Sequence, residues 1–356
     1  MRDIHKQILE LLRTGGGCAL ATIVRASGST PQKPGSSALF SEQGLKAGTV
    51  GGGLLESEVQ LITESILISG VSDQFYFNLD SDRDSDGAIC GGEAEVLIDA
   101  SPADHLEVFE KMEESLAKRT EGFLFTLASS LEDKGRTIRR YWLTGTSPEH
   151  LPNSLEPELK KQVAEQLKNS RRMGFVEMEL THTTQRPGFA YLEHIKPMSR
   201  LIIAGGGHIG QALAHLASLL EFEVTIVDDR PEYANPGLFP DADHFVASDM
   251  GLAMSDIEYG PDSYVVIVTR GHKQDGEALK ACIGTEAAYI GMIGSSHKVG
   301  VMKKQFIEEQ WASREQWASV FTPIGLDIGS QTVQEIAISI AAQLVEVRNR
   351  KTLKDA

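Results

Sequence analysis

The chain has 356 residues, enough for about two domains of roughly 150 residues each. Asp plus Glu number 50 against 34 Lys plus Arg, a net charge of -16, which argues against a broad nucleic-acid surface or a polybasic membrane patch. The three cysteines, Cys18, Cys90 and Cys282, form no CxxC pair. They are too few for a disulfide framework or an all-cysteine zinc site, and for an iron–sulfur cluster, which takes about four thiolates.

In chain order, Ile4, Ile8, Leu11 and Leu12 repeat at helical spacing and predict an amphipathic first helix, with charges that break any export signal. No stretch approaches the roughly 18 apolar residues of a membrane span. The expected setting is therefore a soluble, reducing cytoplasm. Strands are predicted at residues 19–24, 37–40, 94–98, 123–128, 139–144, 176–180 and 190–195. Helices are predicted at 56–69, 105–118 and 156–172, and 144–157 reads as a surface loop. This first part is an α+β pattern. Ile195-Lys196-Pro197 marks the junction, because the residue before proline is pushed out of helix.

Beyond it, strands alternate with helices. Strands are expected at 201–204, 223–227, 244–246, 264–269 and 289–293, with a sixth at Val320-Phe321. Helices are expected at 209–221, 275–282, 298–310 and 332–348. That alternation means βαβ units on a parallel sheet. The predicted architecture is α/β: an α+β domain over 1–196, then a Rossmann-like, doubly wound domain over 197–356.

The clearest motif is the run from Gly205 to Gly210, a GxGxxG between strand and helix. Gly205, Gly207 and Gly210 would let backbone amides approach a pyrophosphate at a helix N-terminus. Asp228, at the tip of the next strand, suits a ribose hydroxyl. His208 either donates to a phosphate or caps the turn. After the fourth strand come Arg270, Gly271 and His272: a guanidinium fork for phosphate or carboxylate and a proton-shuttling imidazole, or else a solvated loop. Ser295 opens another helix, as an anion cradle or a plain cap. Thr332 and Glu335 fit a capping box. In the first domain, Ser29 and Thr30 lie in a loop between strands, and Gly52 and Glu56 in one from strand to helix. These loops form either a second amide-lined site or ordinary glycine turns. Cys18 and Cys282 sit in apolar patterns as small core residues. Cys90 sits among glycines, where amides could stabilise an exposed thiolate.

The segments GSTPQKPG, GTVGGGLLE, CGG, GGGHIGQALA, DDR, TRGHKQD, YIGMIGSSHK and PIGLDIGSQT occur here in the order seen in xanthine dehydrogenase accessory proteins of the XdhC/CoxI type. The resemblance runs from about Cys18 to the last helix. It implies an N-terminal XdhC/CoxI domain and a C-terminal Rossmann domain. It also implies a carrier of the molybdenum cofactor, as molybdopterin or its dinucleotide form. Such a carrier holds the cofactor for sulfuration by a cysteine desulfurase and hands it to a molybdenum hydroxylase such as xanthine dehydrogenase, without turnover of its own. By the same resemblance Cys90 becomes the candidate contact to molybdenum or its sulfur ligand. Two positions depart from the pattern: Gln32, where Arg is common, and Val333, where Pro is common. The first bears on how an anion is gripped. The second changes only the first helical position, where Pro is favoured but not required.

An NAD(P)-dependent oxidoreductase is the alternative, with Asp228 favouring NAD, Arg270 as substrate clamp and His272 as proton relay. A structural or regulatory nucleotide-binding subunit is the third reading. A symmetric homodimer is expected on general grounds.

Overall fold

The computed structural model describes residues 4–79, 92–130, 135–145, 151–153, 155–179 and 188–354. The chain divides into two compact units, Met1–Pro197 and Met198–Ala356.

The first unit begins with helix α1 (Ile4–Arg13). A five-stranded antiparallel sheet follows, from β1 (Cys18–Gly28), β2 (Ser37–Ser41), β3 (Gly44–Gly48), β4 (Asp73–Asn78) and β5 (Gly92–Asp99), with α2 (Gly53–Ser69) between β3 and β4. Its order is β3-β2-β1-β5-β4. Then come α3 (Leu106–Ala117) and a four-stranded antiparallel sheet. That sheet is built from β6 (Gly122–Ser130), β7 (Arg136–Leu143), β8 (Phe175–Glu179) and β9 (Gly188–Ile195), in the order β7-β6-β9-β8, with α4 (Pro157–Met173) before β8.

Strand alternation explains the layering. Ala19, Ala21 and Ile23 of β1 pack with Leu55, Val59 and Ile66 of α2. Leu20 and Val24 point the other way, into clusters that hold Leu124 and Ala128 of β6. Phe123, Phe125 and Leu127 alternate with those and pack on Leu159, Val163 and Leu167 of α4. The unit is thus helix on sheet on sheet on helix, each face burying the residues of one parity. Leu151 and Leu155 are buried in the α4 cluster. The expected loop over 144–157 has no helix or strand at its described residues before α4, but Leu151 and Leu155 anchor it in the core, so it does not lie wholly on the surface; 146–150 and 154 lie outside the described residues.

The second unit holds five parallel strands: β10 (Arg200–Ala204), β11 (Glu223–Asp228), β12 (His244–Ala247), β13 (Ser263–Ile267) and β14 (Tyr289–Met292). Their order, β12-β11-β10-β13-β14, puts the topological switch point between β10 and β13. Helices α5 (His208–Leu219) and α10 (Val333–Lys354) cover one face, where Leu213 and Leu344 are fully buried. On the other face lie α6 (Met250–Ser255), α7 (His272–Cys282), α8 (Ser296–Glu308) and α9 (Arg314–Ala318). This is the Rossmann-like sheet the alternation predicts. The sixth strand at Val320-Phe321 does not form; Phe321 makes only an isolated bridge to Gly291. Pro323 follows, and its missing N–H ends the ladder. Among the described residues no helix is long and apolar enough to cross a membrane.

Candidate functional site

In the second unit, two loops leave the sheet beside the switch point. One is the glycine loop between β10 and α5. Gly205 has φ 120°, and a Cβ there would lie 2.5 Å from the Val268 carbonyl oxygen. A Cβ on Gly206 would meet the Tyr233 oxygen at 2.0 Å, and one on Gly210 the Gly205 oxygen at 2.2 Å. These three glycines are required by packing. Gly207 differs: a Cβ there would meet no atom within 4 Å. It is also the N-cap of α5, with no side chain capping the helix. Open space over uncapped amides is what a phosphate at a helix start needs. His208, the first residue of α5, is exposed.

The second loop runs from β13 to α7. Gly271 caps α7, again with no side-chain bond, and His272 stands exposed at its start. Thr269 and the fully buried Asp275 brace it. Asp275 Oδ1 accepts from Thr269 Oγ1 at 2.6 Å and from Thr269 N at 3.2 Å. Its other oxygen accepts from Lys298 Nζ at the start of α8, so the loops after β13 and β14 are tied together. Ser295 caps α8, accepting from Lys298 N at 3.3 Å. Of its two expected roles, the cap is the one the structure shows.

Asp228 is nearly buried at the end of β11, and its acceptor positions are taken. Oδ2 accepts from Gly206 N at 2.8 Å and Arg230 Nη2 at 3.1 Å; Oδ1 accepts from Arg230 Nε at 2.9 Å and Arg230 N at 3.1 Å. Burial pushes the carboxyl up, but the bonds from Arg230 and Gly206 outweigh it and hold it below the usual carboxylate range. Arg230 also stacks on Tyr233, its guanidinium carbon 3.6 Å from the ring centroid. Arg270 donates to Asp229 Oδ2 at 2.8 Å. The open ribose acceptor expected at Asp228 is thus engaged by a residue two positions further on.

In the first unit two motif loops meet beside the start of β5. Gly28 pairs with Gly92 across β1 and β5. A Cβ on Gly92 would lie 2.9 Å from the Ser29 oxygen, and one on Gly51 2.6 Å from Pro31 Cγ. Thr30 Oγ1 donates to the Gln32 carbonyl at 3.0 Å, and Ser29 is exposed. Gly52, at φ 69°, caps α2 without a side-chain bond and faces open space. Glu56 points back into its own loop, accepting from Thr49 Oγ1 at 2.5 Å and Val50 N at 3.2 Å. It braces the loop. Cys90 lies outside the described residues. Burial pushes the Cys18 thiol up to about 11 and the Cys282 thiol up to about 12, so both are inert core residues. Among the described residues no three metal-ligating side chains gather.

The model of the XdhC Rossmann domain matches residues 201–344, and that of the XdhC and CoxI family matches 11–77. The chain belongs to the XdhC and CoxI family. It is 26% identical over 353 residues to a protein of Bacillus subtilis described as a probable xanthine dehydrogenase component, covering 98% of this chain and 99% of that one. It is 22% identical over 352 residues to the molybdenum cofactor insertion chaperone PaoD of Escherichia coli, covering 98% and 90%. A crystal structure described as a xanthine dehydrogenase from Bacillus halodurans aligns with a TM-score of 0.76 at 24% identity, over 98% of this chain and 96% of that one. At that identity the likeness shows a shared fold.

The XdhC Rossmann match spans both switch-point loops, Asp228, Arg230 and Ser295. The other match spans the Ser29, Thr30, Gly52 and Glu56 loops and stops short of Cys90. Sequence reasoning passed over Arg230, Asp275 and Lys298. Arg230 had a signal, as the last residue of the DDR motif; Asp275 had one in TRGHKQD.

Proposed function

We propose that this XdhC-family chain is an accessory protein that carries the molybdenum cofactor during maturation of a molybdenum hydroxylase such as xanthine dehydrogenase. The observation that carries this reading is the likeness, over 98% of the chain, to the insertion chaperone PaoD. The donor set suits the group. An anionic pterin phosphate needs N–H donors without a strongly basic surface. Gly207 and Gly52 each offer uncapped helix-start amides facing open space on a chain of net charge -16.

Gly207 with His208 would hold the phosphate or pyrophosphate of a dinucleotide form of the cofactor, in a loop whose close turn Gly205 and Gly210 make possible. Arg270, Gly271 and His272 would close the same crevice from β13, with Ser295 holding the neighbouring helix start. Ser29, Thr30 and Gly52 would line the second amide cluster, with Glu56 keeping its loop in shape. Cys90 is assigned by resemblance to contact molybdenum or its sulfur ligand. When bound, the cofactor supplies the redox centre that the hydroxylase uses; this chain holds, shields and releases it. A cysteine desulfurase for sulfuration, a homodimeric assembly and a cytoplasmic setting complete the proposal.

The test is to express the chain in cells that make molybdopterin, purify it, and assay molybdenum and oxidised pterin. Stoichiometric pterin, with molybdenum lost in Cys90→Ala, is expected, as is faster maturation of an apo-hydroxylase when the loaded chain is added. Purification without pterin, or maturation that proceeds equally well without the chain, would overturn the reading.

A further inference from the structure

Arg230 is held from two sides. Its guanidinium forks onto both oxygens of Asp228, and its flat face lies on Tyr233. The Tyr233 carbonyl lies against the glycine loop, 2.0 Å from where a Cβ on Gly206 would stand. The Asp228 carboxylate has about four acceptor sites, and four N–H groups already occupy them. A ribose diol therefore finds no free acceptor at Asp228 while Arg230 stays in place. Equally, the negative charge that would repel a 2′-phosphate is cancelled by a cation whose side chain keeps 23% of its surface exposed. A second cation, Arg270, reaches Asp229 beside it at 2.8 Å.

We infer that Arg230 sets the nucleotide specificity of the glycine-loop site: locked to Asp228, it admits a ribose carrying a 2′-phosphate as readily as one carrying a free 2′-hydroxyl. This rests on the reading that the glycine loop receives the phosphates of a nucleotide. It reverses the simple expectation that the acid at this strand end selects against 2′-phosphates.

The experiment titrates the purified full-length chain with NADH and NADPH as probes, following nicotinamide fluorescence. The wild type is expected to bind the two with Kd values within about threefold of each other, because no net like-charge contact separates them. Arg230→Ala frees Asp228 to accept from a 2′-hydroxyl and exposes its charge to a 2′-phosphate. The ratio of the NADPH Kd to the NADH Kd should then rise by about tenfold or more. The double variant Arg230→Ala/Asp228→Asn should return the ratio towards the wild-type value. A merely structural role for Arg230 would weaken both probes alike and leave the ratio unmoved. That result, or a wild-type preference for NADH of about tenfold or more, overturns the assignment while leaving the glycine-loop site standing. Failure of both probes to bind the wild type at millimolar concentration overturns the nucleotide site together with the Arg230 assignment.

Discussion

Removing the Asp275 carboxylate should loosen the switch-point loops at a cost that can be worked out in advance. Asp275 is fully buried and accepts two bonds from Thr269 as well as the Lys298 ammonium. Hydrogen bonds to a charged group contribute about 1.5–3 kcal/mol each. Breaking a fully buried ion pair costs about 3–5 kcal/mol, because one charge is stranded. Here the Lys298 side chain is 26% exposed, so the freed ammonium turns to water and that penalty is largely avoided. Asp275→Ala should therefore cost about 3 kcal/mol, mostly from the Thr269 bonds. Asp275→Asn keeps an acceptor for Thr269 and should cost about 1 kcal/mol. The assay is urea unfolding of the full chain in a Trp142→Phe background, so that Trp311 and Trp317 report on the second unit alone. With an m-value near 2 kcal/mol per M, the Ala variant should shift the midpoint down by about 1.5 M and the Asn variant by about 0.5 M. Equal shifts for the two, or an Ala shift below about 0.3 M, would refute the argument that the Thr269 bonds carry the energy.

Gly207→Ala should leave the thermal midpoint within about 2 °C of wild type but strip the bound pterin, whereas Gly210→Ala should lower stability by about 1–3 kcal/mol through its clash with the Gly205 carbonyl; calorimetry and pterin assay separate the two. Asp99→Ala should unfold the first unit first, at a cost of about 3–5 kcal/mol, because Arg140 is left charged with its side chain only 3% exposed; near-UV circular dichroism follows it. Burial, and then Arg140, hold His105 below its usual 6.5, so the unfolded chain takes up a proton first and stability should fall as pH drops below 6.5; His105→Gln should flatten that limb in pH-dependent urea melts. Burial pushes the Glu193 carboxyl above its usual 4.5, so the folded chain keeps a proton the unfolded one has lost and stability should fall as pH rises past 4.5; Glu193→Gln should raise stability at pH 8 and leave it unchanged at pH 4.

The second unit was readable because its strands are buried on both faces. Runs such as Leu201 to Ala204 and Tyr264 to Ile267 are unbroken apolar stretches bounded by glycine and polar loops, the signature of a parallel sheet under two helix layers. The short helices α6 and α9 escaped notice, since five or six residues show too little of a 3.6-residue period. In the first unit β3 and β4 were missed for a different reason. They are edge strands, Gly44–Gly48 and Asp73–Asn78, with Leu45 and Tyr76 left exposed. An edge strand has no apolar face on each side to betray it.

The site was readable at the level of loops and not of atoms. The glycines announced a close approach of backbone, but four glycines in one motif do different work. Three are excluded from bearing a Cβ by carbonyl oxygens of Val268, Tyr233 and Gly205, and only Gly207 faces open space. Which glycine serves the ligand depends on contacts made by residues 233 and 268, far along the chain. The same holds for Asp228. Its position at a strand tip is a local property, legible from the pattern, and it predicted an acceptor. Whether that acceptor is free depends on the rotamer of Arg230 and on the ring of Tyr233 beneath it. A motif states which residue types reach a crevice; the charge the crevice presents is set by the pairs they form, and here an aspartate and an arginine two residues apart cancel before any ligand arrives.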